Sequence, residues 1–487
     1  MKQILCILLS VLGWTTGMTQ NPYQIKGKVD CENKGIHGVV VSDGKNCVQT
    51  DEQGNYSLDI DNESQFVFIS TPAGYLTEVK ENTISLFYEP IDRSSDKKYD
   101  FHLKKNPHDD LNHVFFAQAD VQAISSENLD TYHTFQNDYL EQLAAYPNTD
   151  IFGIDCGDIT GDNAQLFPPY IEAVKTLNIP IYRAIGNHDM DYNGRSFETS
   201  HHSFESYFGP TCYSFNKGKM HYIVINNNFY IGREFYYIGY IDEKTFQWIE
   251  KDLSFLEKGS PLVIVMHIPT RLTEKQQPFQ FDYNTLADQT VNAEAFHQLI
   301  QDHPTHIISG HMHYNLNICY NDRLMEHNTA AICGTWWCSD ICLDGTPRGY
   351  GIYQVNGNQL TWKYKCIGKP DNYQARVYLP GASQEYPQAI IANVWNWDEQ
   401  WKVEWMEDGK VMGEMTQFTA FDPLAEKICN KAVQTYSWIA PVKTNHLFKA
   451  IPKNPQAQIS VKITDRFGHE YLQPAEDFSS TLLQLNN

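Results

Sequence analysis

Six short apolar runs in the middle of the chain close on polar side chains, and that pattern leaves few folds open. They are HVFFAQAD (113–120), DIFGIDCGD (150–158), PIYRAIGNHD (180–189), HYIVINNN (221–228), LVIVMH (262–267) and THIISGHMH (305–313). Within each run the apolar residues are consecutive rather than alternating, as expected of strands covered on both faces. Amphipathic stretches at 129–145, 170–177, 243–256 and 293–301 lie between them. Strands and helices in alternation predict an α/β domain over 111–365.

The residues that end these runs are Asp120, Asp158, Asn187, His188, Asp189, His267, His311 and His313. In open α/β sheets, ligands sit beyond the carboxyl ends of the strands, so these side chains should meet in one crevice. An Asp after a strand is by itself more often a helix N-cap than a ligand. Five strand ends carrying oxygen and imidazole donors are hard to account for as caps and point to divalent cations. Gly157, Gly186 and Gly310 each precede a ligand segment, where a residue without Cβ lets backbone come close to a bound ion or phosphate.

The flanks have another texture. From Pro22 to His102, short alternating runs are cut by turns at Asp43-Gly44 and 51–54, which predicts hairpins and a small β-sandwich over 20–105. Strands are expected at 39–41 and 56–60, and LKKNPHDD (103–110) reads as a linker. Alternating runs return after Cys366 and predict an all-β domain over 366–487.

In that order, Gly157-Asp158, the GNHD at 186–189, His267 and the GHMH at 310–313 resemble the signature of calcineurin-like metallophosphoesterases. The flanks resemble the N-terminal transthyretin-like and C-terminal β accessory domains of bacterial members. The resemblance implies a four-layer double-sheet α/β sandwich, flanked by all-β sandwich domains, with a two-metal centre. It implies that Asp120 and His313 hold one metal, that Asn187, His267 and His311 hold the other, and that Asp158 bridges them. His188 would be general acid or phosphoryl donor, oriented by Asp189 or Asp162.

Many relatives have Asp-x-His at the first motif, where this chain has Asp120-Val121-Gln122. The Gln122 amide oxygen remains a candidate ligand, harder than imidazole, and it favours Mn²⁺ or Mg²⁺ over Zn²⁺ there, with Fe²⁺ also in the candidate set. Such a centre would hydrolyse phosphate esters with a metal-bridging hydroxide. Arg195 or Arg348 are candidates to bind phosphate, with His201, Trp336 and Trp337 as further substrate contacts. The expected substrate is a phosphorylated small molecule or glycan, with phosphodiesters or glycan-linked phosphates favoured over small monoesters. The competing reading is a surface carbohydrate-binding protein with a relic or structural metal site.

Charge and targeting narrow the setting. The 487 residues carry a net charge of −22, which repels phosphate backbones and argues against a nucleic-acid partner. Lys2, an apolar run at 4–14 and small residues at 15–17 predict a signal peptide over 1–19, hence a periplasmic or cell-surface protein. No later segment is apolar for long enough to span a membrane. In an oxidising compartment a Cys31–Cys47 bridge is expected to be available, and most other cysteines read as small buried hydrophobes.

Overall fold

The computed structural model describes residues 23–233, 236–274, 281–454 and 456–478; the signal-peptide segment lies outside them. The middle of the chain forms two mixed sheets face to face. In the first, Asn112–Gln118, Asp150–Asp155 and Ile181–Arg183 run parallel, and Gly349–Asn356 and Gln359–Cys366 extend it antiparallel. In the second, Met220–Val224, Leu262–Val265, Thr305–Ser309 and Leu324–Asn328 run parallel between the edge strands Tyr213–Lys217 and Leu316–Asn321.

The consecutive apolar residues in each run divide between two cores. On Asn112–Gln118, Phe115 and Ala117 face the second sheet, whereas Val114 and Phe116 face the helices Ser126–Ala144 and Phe167–Val174. Stacked rings fill the space between the sheets: Phe115 on Tyr353 at 4.8 Å and Tyr182 on Phe215 at 3.7 Å. Helices Glu243–Leu253 and Ala293–Ile300 cover the second sheet through Trp248, Ile249, Phe296 and Ile300. This is the four-layer α/β sandwich.

The N-terminal region is a pair of β-sheets, five- and four-stranded, whose core merges with that of the α/β domain. Val40–Ser42 and Asn55–Ile60 are strands here. The expected linker starts three residues late, because Leu103–Lys105 complete the strand Phe101–Lys105, which pairs in parallel with Tyr23–Cys31. Cys31 and Cys47 are both free thiols, so the available bridge is not made.

The C-terminal region packs two four-stranded sheets around Val377, Ile390, Val461 and Ile463. It is not wholly β, since a helix spans Pro423–Ala432. Asp422 caps it by accepting from Leu424 and Ala425 N–H, and Pro423 occupies the first turn, where its missing N–H costs nothing. Among the described residues no helix is long and apolar enough to cross a membrane.

Candidate metal centre

The parallel strands of both sheets deliver their carboxyl ends to one crevice. The first sheet brings Asp120, Asp158 and Asn187, and the second brings His267, His311 and His313. All are buried or half-buried. Asp120, Gln122, Asp158, His311 and His313 take φ between 38° and 73°, the left-handed region that non-glycine residues avoid. Such strain persists only where the surrounding fold over-determines it, and it gathers at functional sites.

The donors around His267 form a tight group. Its Nδ1 donates to the Cys156 carbonyl at 2.8 Å, which can only accept, so Nε2 is the nitrogen that faces the pocket; burial would lower this imidazole, but Asp158 and Asp120 raise it to about 9, and a bound cation would take the place of the Nε2 proton. Asn187 Oδ1 lies 3.0 Å from that nitrogen, His311 Nδ1 3.2 Å and Asp158 Oδ2 3.3 Å. Ligand atoms of Asp158, His267 and His311 all fall within 4.8 Å of one another. Beside them His313 Nε2 stands 3.8 Å from Asp120 Oδ1. Asp120 also accepts from the His311 backbone N–H at 3.1 Å, and Asp158 from that of His188 at 2.8 Å.

Several potential ligand atoms thus point at shared space. Burial drives His311 well below the usual imidazole range and His313 to about 3, so both offer lone pairs. Burial raises the Asp120 carboxyl to about 8, with the Asp158 carboxylate adding to it against the pull of His267. Burial opposes ionisation of Asp158 as well, but His267, His188 and His311 outweigh it and hold that group below its ordinary value. Two neutral imidazoles, a third whose proton a cation would displace, an amide oxygen and two buried carboxylates suit hard or borderline divalent cations, so the residues present fit a metal centre.

Gln122 is buried at the margin, with its Oε1 3.9 Å from Cys333 Sγ, which in turn lies 3.6 Å from His313 Nδ1. His188 is oriented by Asp162, whose Oδ1 is 2.8 Å from Nδ1. Burial would lower this imidazole, but Asp158 and Asp162 raise it to about 9. Asp189 takes no part in that contact. It accepts from the backbone N–H groups of Ile159, Thr160 and Gly186 and ties the Asp158 loop to the GNHD turn.

The fourth polar run works through backbone. Asn227 Nδ2 donates to the Ile268 carbonyl at 2.6 Å and Asn228 Nδ2 to the Ile185 carbonyl at 2.8 Å, which clamps the loops carrying His267 and Asn187. A triple Asn at a strand end was the signal for this role, but it looks the same as a ligand cluster in sequence.

The candidate substrate residues scatter. Trp336 stacks on His313 with ring centroids 4.2 Å apart. Trp337 donates its indole N–H to the Val121 carbonyl at 3.1 Å and stacks on Phe135. The Arg348 guanidinium lies over the Phe135 and Trp337 rings and donates to the Ser339 carbonyl, so it braces the Trp336–Trp337 loop. Arg195 and His201 line a different groove, of about 760 Å³, against Asp43, Lys45 and Phe66 of the N-terminal domain; no candidate metal ligand lines it. Burial pushes His201 down to about 4.

No curated protein matches the sequence. Among solved structures the chain is similar to a dimetal phosphatase from Danio rerio, at 12% identity over 53% of this chain and 97% of that one, with a TM-score of 0.39. It is also similar to a purple acid phosphatase from yellow lupin, Lupinus luteus, at 13% identity over 69% and 68%, with a TM-score of 0.40. A 5'-nucleotidase from Candida albicans is similar at 11% identity over 54% and 52%, with a TM-score of 0.30. Three family profiles cover nearly the whole described chain: the N terminal of calcineurin-like phosphoesterase over 23–106, calcineurin-like phosphoesterase over 100–315, and its C terminal over 326–471. The chain belongs to the calcineurin-like phosphoesterases, metal-dependent hydrolases of phosphate esters.

Proposed function

We propose that the protein hydrolyses a phosphodiester or a glycan-linked phosphate outside the cytoplasm, at a centre of two divalent cations held by the strand-end residues. The observation that carries the reading is the convergence of Asn187, His311 and Asp158 on Nε2 of His267, with Asp120 and His313 alongside. Asp120 and His313 would hold one cation and Asn187, His267 and His311 the other, with Asp158 between them; Gln122 is an additional oxygen at the rim. Mn²⁺ or Mg²⁺ suits this oxygen-rich set, and Fe²⁺ and Zn²⁺ remain in the panel to be tested.

When bound, the cations would supply Lewis acidity and activate water at neutral pH. The chain's own groups do the rest. Asp162 fixes the His188 ring through Nδ1, which leaves Nε2 free, and a third of that side chain is exposed. A proton on Nε2 can pass to the departing oxygen, a step typically worth about 10²–10⁴-fold. Asp189, Asn227 and Asn228 hold the loops in register. Export rests on the apolar run at 4–14 behind Lys2.

The test is release of p-nitrophenol from bis-p-nitrophenyl phosphate and from the monoester, with Mn²⁺, Mg²⁺, Fe²⁺ and Zn²⁺ in turn. Turnover that disappears in Asp158→Ala supports the reading. Wild type and variant equally inert across all metals and both esters would instead favour a carbohydrate-binding protein with a structural site. Fractionation of expressing cells checks export, and the protein should appear outside the cytoplasm.

A further inference from the structure

Trp438 is 61% exposed, an unusual state for the largest apolar side chain. It comes from the C-terminal domain, yet one intervening ring links it to the metal centre. Its ring meets Trp336 edge-on at 6.5 Å, and Trp336 lies flat on the candidate ligand His313. Tyr436 leans on Trp438 at 4.9 Å and 31°, making a continuous aromatic ledge.

The ledge is rigidly tied to the centre. Leu343 N–H donates to the His313 carbonyl at 3.1 Å, and Val442 N–H donates to the Leu343 carbonyl at 3.0 Å. Leu343, Ile439, Cys429 and Ala432 pack beneath Trp336 and Tyr436. Trp336 itself is held at φ 43°, backbone strain maintained where it places a ring on His313.

Charge indicates what the ledge receives. Residues 432–442 contain no Asp, Glu, Lys or Arg, in a chain whose net charge is −22. In the chain around Tyr436 and Trp438 the exposed residues are Val433, Gln434, Thr435, Ser437 and Ala440, all uncharged, and Gln434, Thr435 and Ser437 both donate and accept hydrogen bonds. Apolar ring faces edged by neutral donors and acceptors match a pyranose, with C–H faces and equatorial hydroxyls.

We propose that Trp438 and Tyr436, with Trp336, seat a sugar ring carried by the phosphate ester, so that the C-terminal domain sets substrate choice at the metal centre. This rests on the phosphoesterase reading and adds the class of the esterified group.

The experiment measures kcat and KM of the Mn²⁺-loaded protein for glucose 1-phosphate, uridine 5'-monophosphate and glycerol 3-phosphate, in wild type, Trp438→Ala and Ile451→Ala. Calorimetric binding of the same three compounds is measured in parallel. Trp438→Ala should weaken selection of glucose 1-phosphate over glycerol 3-phosphate by about tenfold, through KM rather than kcat. Ile451→Ala removes a side chain that is 66% exposed in the same domain and should leave that ratio unchanged. An equal effect of Trp438→Ala on all three compounds, or no effect, overturns the proposal, and a loss confined to the uridine compound overturns the sugar assignment. If wild type hydrolyses neither these three nor bis-p-nitrophenyl phosphate, the phosphoesterase reading fails; wherever the three are not turned over, the ledge is judged by binding alone, and glucose 1-phosphate bound no tighter than glycerol 3-phosphate overturns it.

Discussion

Gly186 offers a clean steric test of whether Asp158 is the pivot of the site. Its backbone is ordinary, at φ −99° and ψ 173°, so an alanine there carries no conformational penalty. The added Cβ, however, would lie 2.0 Å from Asp158 N and 2.1 Å from its Oδ1. Ordinary contact starts at 3.4 Å, so the Asp158 loop must withdraw by roughly 1.4 Å. A displacement of about 1 Å at catalytic groups can cost about 10²-fold, or ~2.7 kcal/mol of transition-state stabilisation. Crowding in a closely packed site adds about 1–3 kcal/mol of destabilisation. Gly186→Ala should therefore lower kcat/KM for bis-p-nitrophenyl phosphate at least about 100-fold under saturating Mn²⁺ and lower the melting temperature. Gly357→Ala is the control: it strains a φ of 64° but meets nothing within 4 Å, so it should cost stability and leave kcat/KM in place. A Gly186→Ala protein within threefold of wild-type activity would refute the reasoning, because the centre would then not depend on where Asp158 sits.

The remaining predictions concern individual side chains. Asp162→Ala removes the partner of His188 from a half-exposed position and should cut kcat by about tenfold with the fold intact, whereas Asp189→Ala strands three backbone N–H donors and should lower the melting temperature first, by about 1–3 kcal/mol of stability per orphaned donor. Burial raises the Glu205 carboxyl to about 8, so the folded chain holds that proton over a range in which the unfolded chain releases it above about 4.5. Stability should fall by on the order of 3 kcal/mol from pH 5 to pH 8 on this account, and Glu205→Gln should stabilise at pH 8 and do little at pH 5; equal melting shifts at the two values would contradict it. With Cys31 and Cys47 as free thiols, a reducing agent should leave the melting temperature unchanged, and a drop would reveal a bridge.

Much of the centre was legible because parallel strands buried on both faces leave few places for a polar residue except their ends. Asp120, Asp158, Asn187, His267, His311 and His313 stood out for that reason, and the structure brings them together. Roles that depend on cross-chain distances were not legible. Asp162 and Asp189 look alike beside His188 in sequence, but only Asp162 reaches Nδ1. Arg195 follows the GNHD segment by a few residues, yet its loop carries it and His201 to the groove facing the N-terminal domain. Arg348 read as a phosphate binder, and its guanidinium is sandwiched against two aromatic rings. The helix Pro423–Ala432 did leave a trace in the Asp422-Pro423 start signal, hidden by the β texture on either side. Trp438 lies over a hundred positions from His313, and only docking of the C-terminal domain joins them through Trp336.

The most direct measurement is metal content by elemental analysis, set against activity, for wild type, Asp158→Ala and His267→Ala. The account predicts two divalent cations per wild-type chain, loss of at least one in each variant, and turnover that a chelator removes and added Mn²⁺ restores. Full activity in chelator-treated wild type carrying no metal, or variants that retain both cations and wild-type turnover, would contradict it.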